Sequence, residues 1–446
     1  MTRNEIGIFF RVIRVTVFVA LIAVLVTAAI PYGTVEPWWK ATFVCAVFAI
    51  TILAIVESVQ IENGSILLPI LVLSAWAFVQ TLSLGSEPLA GLTIRNTISA
   101  DPFQTRFFAL QMLALTAWLA LLYRCAGTEH RMRVLVYAIL AVAVVSAVFG
   151  ILRQATQHDT GFVLPLLRQG QGYGQFINKN HFAYLMEMAF GLGIGVALAG
   201  GIRRDRVLIY LAVLLPIWTA LVLSNSRGGI LAMLVQIVSA ALLLSSRRLT
   251  ALRAVLLAVL VAGVLLGTFW VGGDRLASNF ENATSELNSS EVNMRAGVSR
   301  NEIWRATLKM FAAHPITGVG LGGYWIGITA YHDASGLMTP QEAHNDYLEL
   351  LASGGVIGFA IGVWFAVMVI RAARANLAID TGYIRALRLG AILGLIGVAA
   401  HSLVDFGLHI LVNAIVFLSL VMIATVNGRQ TDDCRGGTPW PPPSYE

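Results

Sequence analysis

The sequence predicts an all-α polytopic membrane protein of about twelve transmembrane helices, with a large helical loop between the ninth and tenth. Apolar residues make up 57% of the 446 and charged residues only 12%, with a mean hydropathy of +0.76, far outside the range of a soluble domain. Apolar stretches of membrane length recur along the chain, and Arg and Lys gather in alternate connections, as the positive-inside rule requires.

Windows of bilayer length place the helices near 11–30, 38–57, 65–84, 106–124, 133–152, 181–200, 207–224, 227–244, 252–271, 346–370, 386–404 and 409–427. The first follows Arg11 and Arg14 with no clear small-x-small cleavage site before Pro31, so it reads as an uncleaved span. With residues 1–10 in the cytoplasm, the even-numbered connections, helix ends and both tails hold 18 of the 30 Lys and Arg. The remaining basic residues spread over longer segments on the other side, so the net charge of +6 is mostly a topological signal and gives no support to nucleic-acid binding. Residues 11–427 then form one membrane domain, and 428–446 a proline-rich, disordered cytoplasmic tail. None of Cys45, Cys125 and Cys434 falls in an outward loop, so no disulfide framework is expected there.

Three outward segments are long enough to carry function: the polar connection 85–105, the Gly- and Gln-rich stretch 153–180, and the large loop 272–345. Within the last, Ser299 to Phe311 spaces Ile303, Trp304, Leu308 and Phe311 as one face of a helix, with Arg300, Arg305 and Lys309 on another. It is compatible with an amphipathic helix at the membrane mouth or with a helix that covers the bundle. His314-Pro315 ends it, and Gly318, Gly320, Gly322 and Gly323 follow as a flexible turn. This glycine series lacks the strand, spacing and lysine of either phosphate-binding fingerprint, and it faces the side without ATP.

Where the large loop meets the tenth helix stands His344-Asn345. A histidine with an ordinary pKa near 6.5 accepts protons at neutral pH, so His344 reads as a general base at the membrane surface or, with Asn345, as a helix cap. A second outward turn, Ser224-Asn225-Ser226-Arg227-Gly228-Gly229, is very tight. An uncompensated guanidinium near membrane depth costs on the order of a few kcal/mol, so Arg227 should find a partner. Its planar fork suits phosphate oxygens, and snorkelling to lipid head groups is the plainer alternative. Lys179 and His181, entering a helix with Asn180 as cap, and Arg168 upstream can face the same mouth as ligands or as surface charges. Asp405 and His409 bracket the last outward turn, to orient other polar groups or to cap it. Glu342, His344 and Asp346 would share a face if extended, but metal chemistry is poorly supported: Arg and Lys can neutralise a diphosphate without a cation, and neither Asp-x-Asp nor His-Glu-x-x-His occurs. No nucleophile elbow is present either.

Together these motifs resemble the O-antigen ligase family. His344-Asn345, nine residues, then Gly355-x-x-Gly358 matches its pattern, and Ser224 to Gly228 resembles a second element, Ser-x-Ser-Arg-Gly. Asn178 to Ala183, Arg300 to Gly323, and His401 to Phe406 with Leu408-His409 resemble segments of the wider superfamily of O-antigen ligases and polymerases. The resemblance spans roughly 100–427. It implies a multi-pass protein of the bacterial inner membrane whose active site faces the periplasm. The implied reaction passes a glycan from an undecaprenyl-diphosphate carrier to an acceptor hydroxyl, most nearly lipid A-core, by an inverting, metal-independent displacement without cofactor. His344 would remove or orient the acceptor proton. Arg227 would stabilise the departing diphosphate, with Arg300 or Arg295 as a second clamp and Lys179, His181, Arg168 and Asn345 as further binding residues. Membrane lipids surround the site and nucleic acid has no part in it. A polymerase of the same superfamily would use a second lipid-linked glycan as acceptor. A transporter is the alternative from another class, against which few charges lie deep in the spans, Glu187 being the main one.

Overall fold

The computed structural model describes residues 3–55, 64–89, 92–158, 162–199, 204–245, 262–263, 300–332 and 339–427. Its helices are α1 (Arg3–Ala29), α2 (Pro37–Ile55), α3 (Gly64–Gln80), α4 (Pro102–Cys125), α5 (Glu129–Thr156), α6 (Lys179–Leu198), α7 (Arg204–Leu223), α8 (Arg227–Ser245), α9 (Arg300–Ala313), the one-turn α10 (Tyr324–Gly327), α11 (Asp346–Ile379), α12 (Gly382–His401) and α13 (Leu411–Thr425). Eleven of the twelve expected ranges fall on these helices. The range 252–271 lies almost wholly outside the described residues, as do Arg295, the rest of 272–299 and the tail 428–446. Among the described residues seven helices, α1, α2, α4, α5, α6, α11 and α12, are long and apolar enough to cross a membrane, and α3, α7, α8 and α13 are shorter apolar helices.

The central element is α6, buried at every position from His181 to Leu198. Its glycines make that possible. Gly191 and Gly195 face Gly394 and Gly390 of α12 so closely that a methyl group at either would overlap the partner's backbone. Small residues four apart let two membrane helices meet backbone to backbone, where dispersion rather than water exclusion holds them.

One expectation is corrected between α3 and α4. The connection expected as simply polar forms an antiparallel hairpin, β1 (Ser83–Leu89) and β2 (Leu92–Thr97), with Leu89 opposite Leu92. Among the described residues the bundle itself is helical, as expected, and this two-stranded hairpin is the one sheet. Beyond the hairpin Asp101 caps α4 by accepting from the Phe103 and Gln104 amides, both at 3.1 Å.

α11 is broken at Gly355 (φ 65°, ψ −171°), in a region only glycine occupies freely. The break frees carbonyls that neighbouring groups take up. The Val319 amide donates to Ala352 O at 3.1 Å and the Gly320 amide to Ser353 O at 2.9 Å. Gln80 donates to Ser353 O and to Thr317 O, and Trp76 Nε1 donates to Gly354 O at 3.0 Å. Gly318 to Gly323 is thus no free turn but the strap that satisfies the kink, with positive φ at 318, 320 and 322.

The loop helix α9 forms where the sequence placed it, but its buried stripe is Ile303, Ala306, Thr307 and Met310. Leu308, expected on that face, is exposed. It stands five residues from Ile303, well around the helix, whereas spacings of three, four and seven keep the stripe aligned.

Candidate active site

The Ser224-to-Gly229 turn is built by its own residues. Ser224 Oγ donates to Leu221 O at 2.6 Å, closing α7, and Asn225 takes positive φ (52°), which asparagine tolerates better than most residues. Ser226 Oγ accepts from the Gly229 amide at 3.2 Å, capping α8, and donates to Asn180 Oδ1 at 2.9 Å. Arg227 follows as the first residue of α8, exposed and without a hydrogen bond or ion pair to any described residue. The partner expected for it is therefore not supplied by the described part of the chain.

Asn180 corrects a second expectation. The cap of α6 is Asn178, whose side chain accepts from the Asn180 amide at 2.8 Å. That leaves the Asn180 side chain to bridge Ser226 and Asp405, to which its amide donates. Lys179, the first residue of α6, is exposed and close enough to Arg227 and Arg300 to be repelled by both.

At the large loop the two readings of His344-Asn345 divide between the two residues. Asn345 is the cap: its Oδ1 accepts from the Tyr347 and Leu348 amides at 3.0 Å, and its Nδ2 donates to Leu403 O at 2.9 Å. His344 is released from capping and stands at φ 51°, with 32% of its side chain exposed.

These pieces meet at Asp405, 1% exposed. Its Oδ1 lies 3.7 Å from His344 Nδ1 and accepts from the Phe406 amide at 2.9 Å, while Oδ2 accepts from Asn180 and from Arg300 Nη2 at 3.4 Å. Burial pushes its carboxyl upward, but His344, the Phe406 amide, His181 and Arg300 outweigh burial and hold it below the usual carboxylate range. Trp304 Nε1 donates to Ala343 O at 3.0 Å, so the helix that carries Arg300 is tied to the residue beside His344. His181 is buried with its ring 4.8 Å from Phe406, and His344 meets that ring at the same distance. Arg168 is exposed, and no contact among the described residues joins it to this group; its carbonyl accepts from Arg153 Nη2 at 2.8 Å.

The third correction concerns the acidic residues. Glu342, His344 and Asp346 do not share a face. Instead His409 Nδ1 lies 3.3 Å from Glu342 Oε2, and its Nε2 lies 3.6 Å from both Asp346 Oδ1 and Glu349 Oε1. Ligand atoms of Glu342, Glu349 and His409 lie within 4.8 Å of one another, a spacing that suits a cation. A protonated His409 accounts for the same arrangement. Burial alone would depress its pKa, but Glu349, Glu342 and Asp346 raise it to about 10, and His409 in turn takes Glu342 down to about 2 against its own burial.

Sequence reasoning singled out His344, Arg227, Arg300, Lys179, His181 and Asn345, and the structure brings them together. Of the two roles open to Asp405, orienting other polar groups or capping its turn, the structure shows the first, while Asn180 proves not to be a cap. An acidic residue in a membrane turn, where a lone charge is costly, was the available signal for Asp405.

Fold and site define a multi-pass membrane protein whose polar, chemistry-bearing groups gather at helix starts and connections. Residues 211–363 match the family model described as O-antigen ligase, and that stretch holds Arg227, His344 and the Gly355 kink. The match supports glycan transfer of the O-antigen ligase and polymerase superfamily. No curated protein matches the chain.

Proposed function

We propose that the protein transfers a glycan from an undecaprenyl-diphosphate carrier to an acceptor hydroxyl at the periplasmic face of the bacterial inner membrane, most nearly as a ligase that uses lipid A-core. One observation carries this reading. Lys179 and Arg227 are each the first residue of a helix, both lie near Arg300, and Arg300 pairs with the Asp405 carboxylate beside His344. A cation at a helix N-terminus opposes the macrodipole, so two such ends beside a third cation gain a stabilising logic if they share an anion beyond the Asp405 carboxylate. A diphosphate leaving group is such an anion, and Arg227 supplies a planar fork for it.

His344 is then the base. Asp405, near its Nδ1, favours the tautomer with the proton on that nitrogen, leaving Nε2 to take the proton from the acceptor hydroxyl. The hydroxyl oxygen attacks the sugar carbon, the carbon–diphosphate bond breaks, and the electron pair leaves on the diphosphate. A single displacement inverts that carbon. Charge developing on the leaving oxygen is met by Arg227 and Arg300, with Lys179 close by; Arg295, His181, Arg168 and Asn345 complete the proposed binding set. No step calls for a metal or cofactor. The topology belongs to the proposal too: a cytoplasmic N-terminus at 1–10, a twelve-helix domain over 11–427 with periplasmic loops 153–180 and 272–345, and a cytoplasmic tail at 428–446.

The test is reconstitution with a defined carrier-linked oligosaccharide, offering lipid A-core and a second carrier-linked repeat as competing acceptors. Transfer to lipid A-core is expected. Transfer to the second repeat would make the protein a polymerase with the same base and clamp, and ion-gradient-dependent solute uptake without sugar transfer would replace both readings by a carrier.

A further inference from the structure

Deep in the bundle, Glu187 of α6 and His401 at the end of α12 form a pair that the proposed chemistry does not use. Both are 0% exposed, and His401 Nδ1 lies 2.8 Å from Glu187 Oε2. The imidazole is clamped on a second side by Tyr184, stacked at 4.0 Å with 18° between the planes. Its third side is the floor of the Arg227 turn. A methyl group at Gly228 would overlap His401 Nε2 and Cδ2 and approach Val404 Cγ2 to 3.1 Å. The ring cannot swing aside, because Glu187 and Tyr184 hold it.

The same turn of chain reaches the base. The Asp405 amide donates to His401 O at 3.1 Å, Ser402 Oγ donates to Asp346 Oδ2 at 2.6 Å, and Ser402 O accepts from the Asp346 amide at 3.0 Å. His401 therefore touches the backbone beneath Arg227 and begins the turn on which Asp405 and the start of α11 rest. We infer that His401, oriented by Glu187, is a positioning residue that sets the place of the Arg227 guanidinium relative to His344, and hence the fit of the donor diphosphate. This rests on the transfer reading proposed above. It also gives the glycine after Arg227 a reason: only a residue without a side chain lets the first turn of α8 sit on the imidazole.

The experiment is a size exchange in the full chain, reconstituted in lipid, with donor KM, kcat and thermal stability measured together. Gly228→Ala should raise donor KM at least about tenfold, since a displacement of about an ångström at a clamp has effects of that order or more. His401→Ala should raise it as well, and the double variant, whose new methyl occupies space the imidazole leaves, should recover toward the wild-type value. Glu187→Leu, which removes the tether but keeps the volume, should raise donor KM, whereas Glu187→Gln, which keeps a hydrogen-bonding partner for Nδ1, should restore it. The inference is overturned if Gly228→Ala and Glu187→Leu lower thermal stability while donor KM stays at the wild-type value, or if the double variant folds and is no better than Gly228→Ala. Should a single variant not fold, the two Glu187 variants decide in the same way. If the wild-type protein transfers no sugar, the transfer reading fails, and positioning is read from thiol labelling of Arg227→Cys. A labelling rate altered by Gly228→Ala and restored by adding His401→Ala supports it, and one rate in all backgrounds overturns it.

Discussion

His344 occupies a left-handed backbone conformation, φ 51°, that costs a residue with a side chain on the order of 1 kcal/mol or more. The strain is held by its neighbours: Asn345 is fixed by two accepted amides and by Leu403 O, and Ala343 by Trp304 and by Glu349, which accepts from the Ala343 amide at 2.9 Å. A side chain so fixed beside a buried carboxylate is set up to exchange one proton. His344→Ala should therefore reduce transfer by about 10²–10⁴-fold, the usual contribution of a general base, while binding of a diphosphate lipid persists. Full turnover in the folded variant would remove the base role. Asp405→Asn keeps the shape but offers an amide that can present its donor to Nδ1, favouring the wrong tautomer. We expect kcat to fall by at least about 10²-fold with little change in donor affinity, and a loss confined to donor affinity would reassign Asp405 to the Arg300 clamp. Arg227→Ala should act on the other half of the reaction. A charge-assisted hydrogen bond is worth about 1.5–3 kcal/mol, so donor affinity measured by direct binding should fall by about 10–100-fold, and an unchanged affinity would count against the clamp.

At the scale of elements the two glycines of the His-Asn pattern separate. Gly355 breaks α11 in a glycine-only conformation, and a methyl there would overlap Ile316 O just before the strap and Gly318 N at its start. Gly355→Ala should cost at least about 1–3 kcal/mol of stability, read as a fall in the thermal midpoint, with activity lost as the strap and α9 shift. Gly358 lies in ordinary helix with no atom nearer than 3.7 Å to an added methyl, so Gly358→Ala should be tolerated or slightly stabilising. Equal sensitivity at both positions would contradict this account. The bundle helices were legible because membrane length and apolarity suffice to mark them, and α9 because its own spacing marks it. Neither the kink nor the strap was: Gly318 and Gly355 are far apart in the chain, and each reads alone as a turn or a tolerated helical glycine. By residue type Asn178 can cap α6 as readily as Asn180, and it is Ser226 and Asp405, both distant in the chain, that hold the Asn180 side chain elsewhere.

For the whole molecule, legibility follows distance in the chain. Arg227, Arg300 and His344 could be given roles because each announces itself locally, whereas Asp405 could be named as an orienting residue but not given its partners, which lie on α6, α9 and the large loop. The cluster at His409 shows in turn how pH reaches global stability. Its pKa is raised from 6.5 to about 10, so its contribution is full below pH 6.5 and is lost as pH rises through 10. Glu342 is lowered from 4.5 to about 2, so its contribution is full above pH 4.5 and is lost as pH falls through 2. Thermal stability should thus decline on the alkaline side of this window, and His409→Gln should flatten that decline; an unchanged alkaline slope would show that the charge is not linked to folding. Orientation is the last property of the whole chain, and it too has a physical cause. Basic residues resist translocation, and in the proposed twelve-helix topology 18 of the 30 Lys and Arg lie in the even-numbered connections, helix ends and tails. The proposal that the site faces the periplasm therefore makes a prediction free of any enzymology. In a background without Cys45, Cys125 and Cys434, a cysteine replacing exposed Arg168 should react with a membrane-impermeant thiol reagent applied to the periplasmic side of intact cells. One replacing exposed Ile379, at the end of α11 away from His344, should react only after the inner membrane is opened. The reverse pattern would turn the molecule over and take the lipid A-core acceptor with it, because that acceptor could then no longer reach His344 from the periplasm.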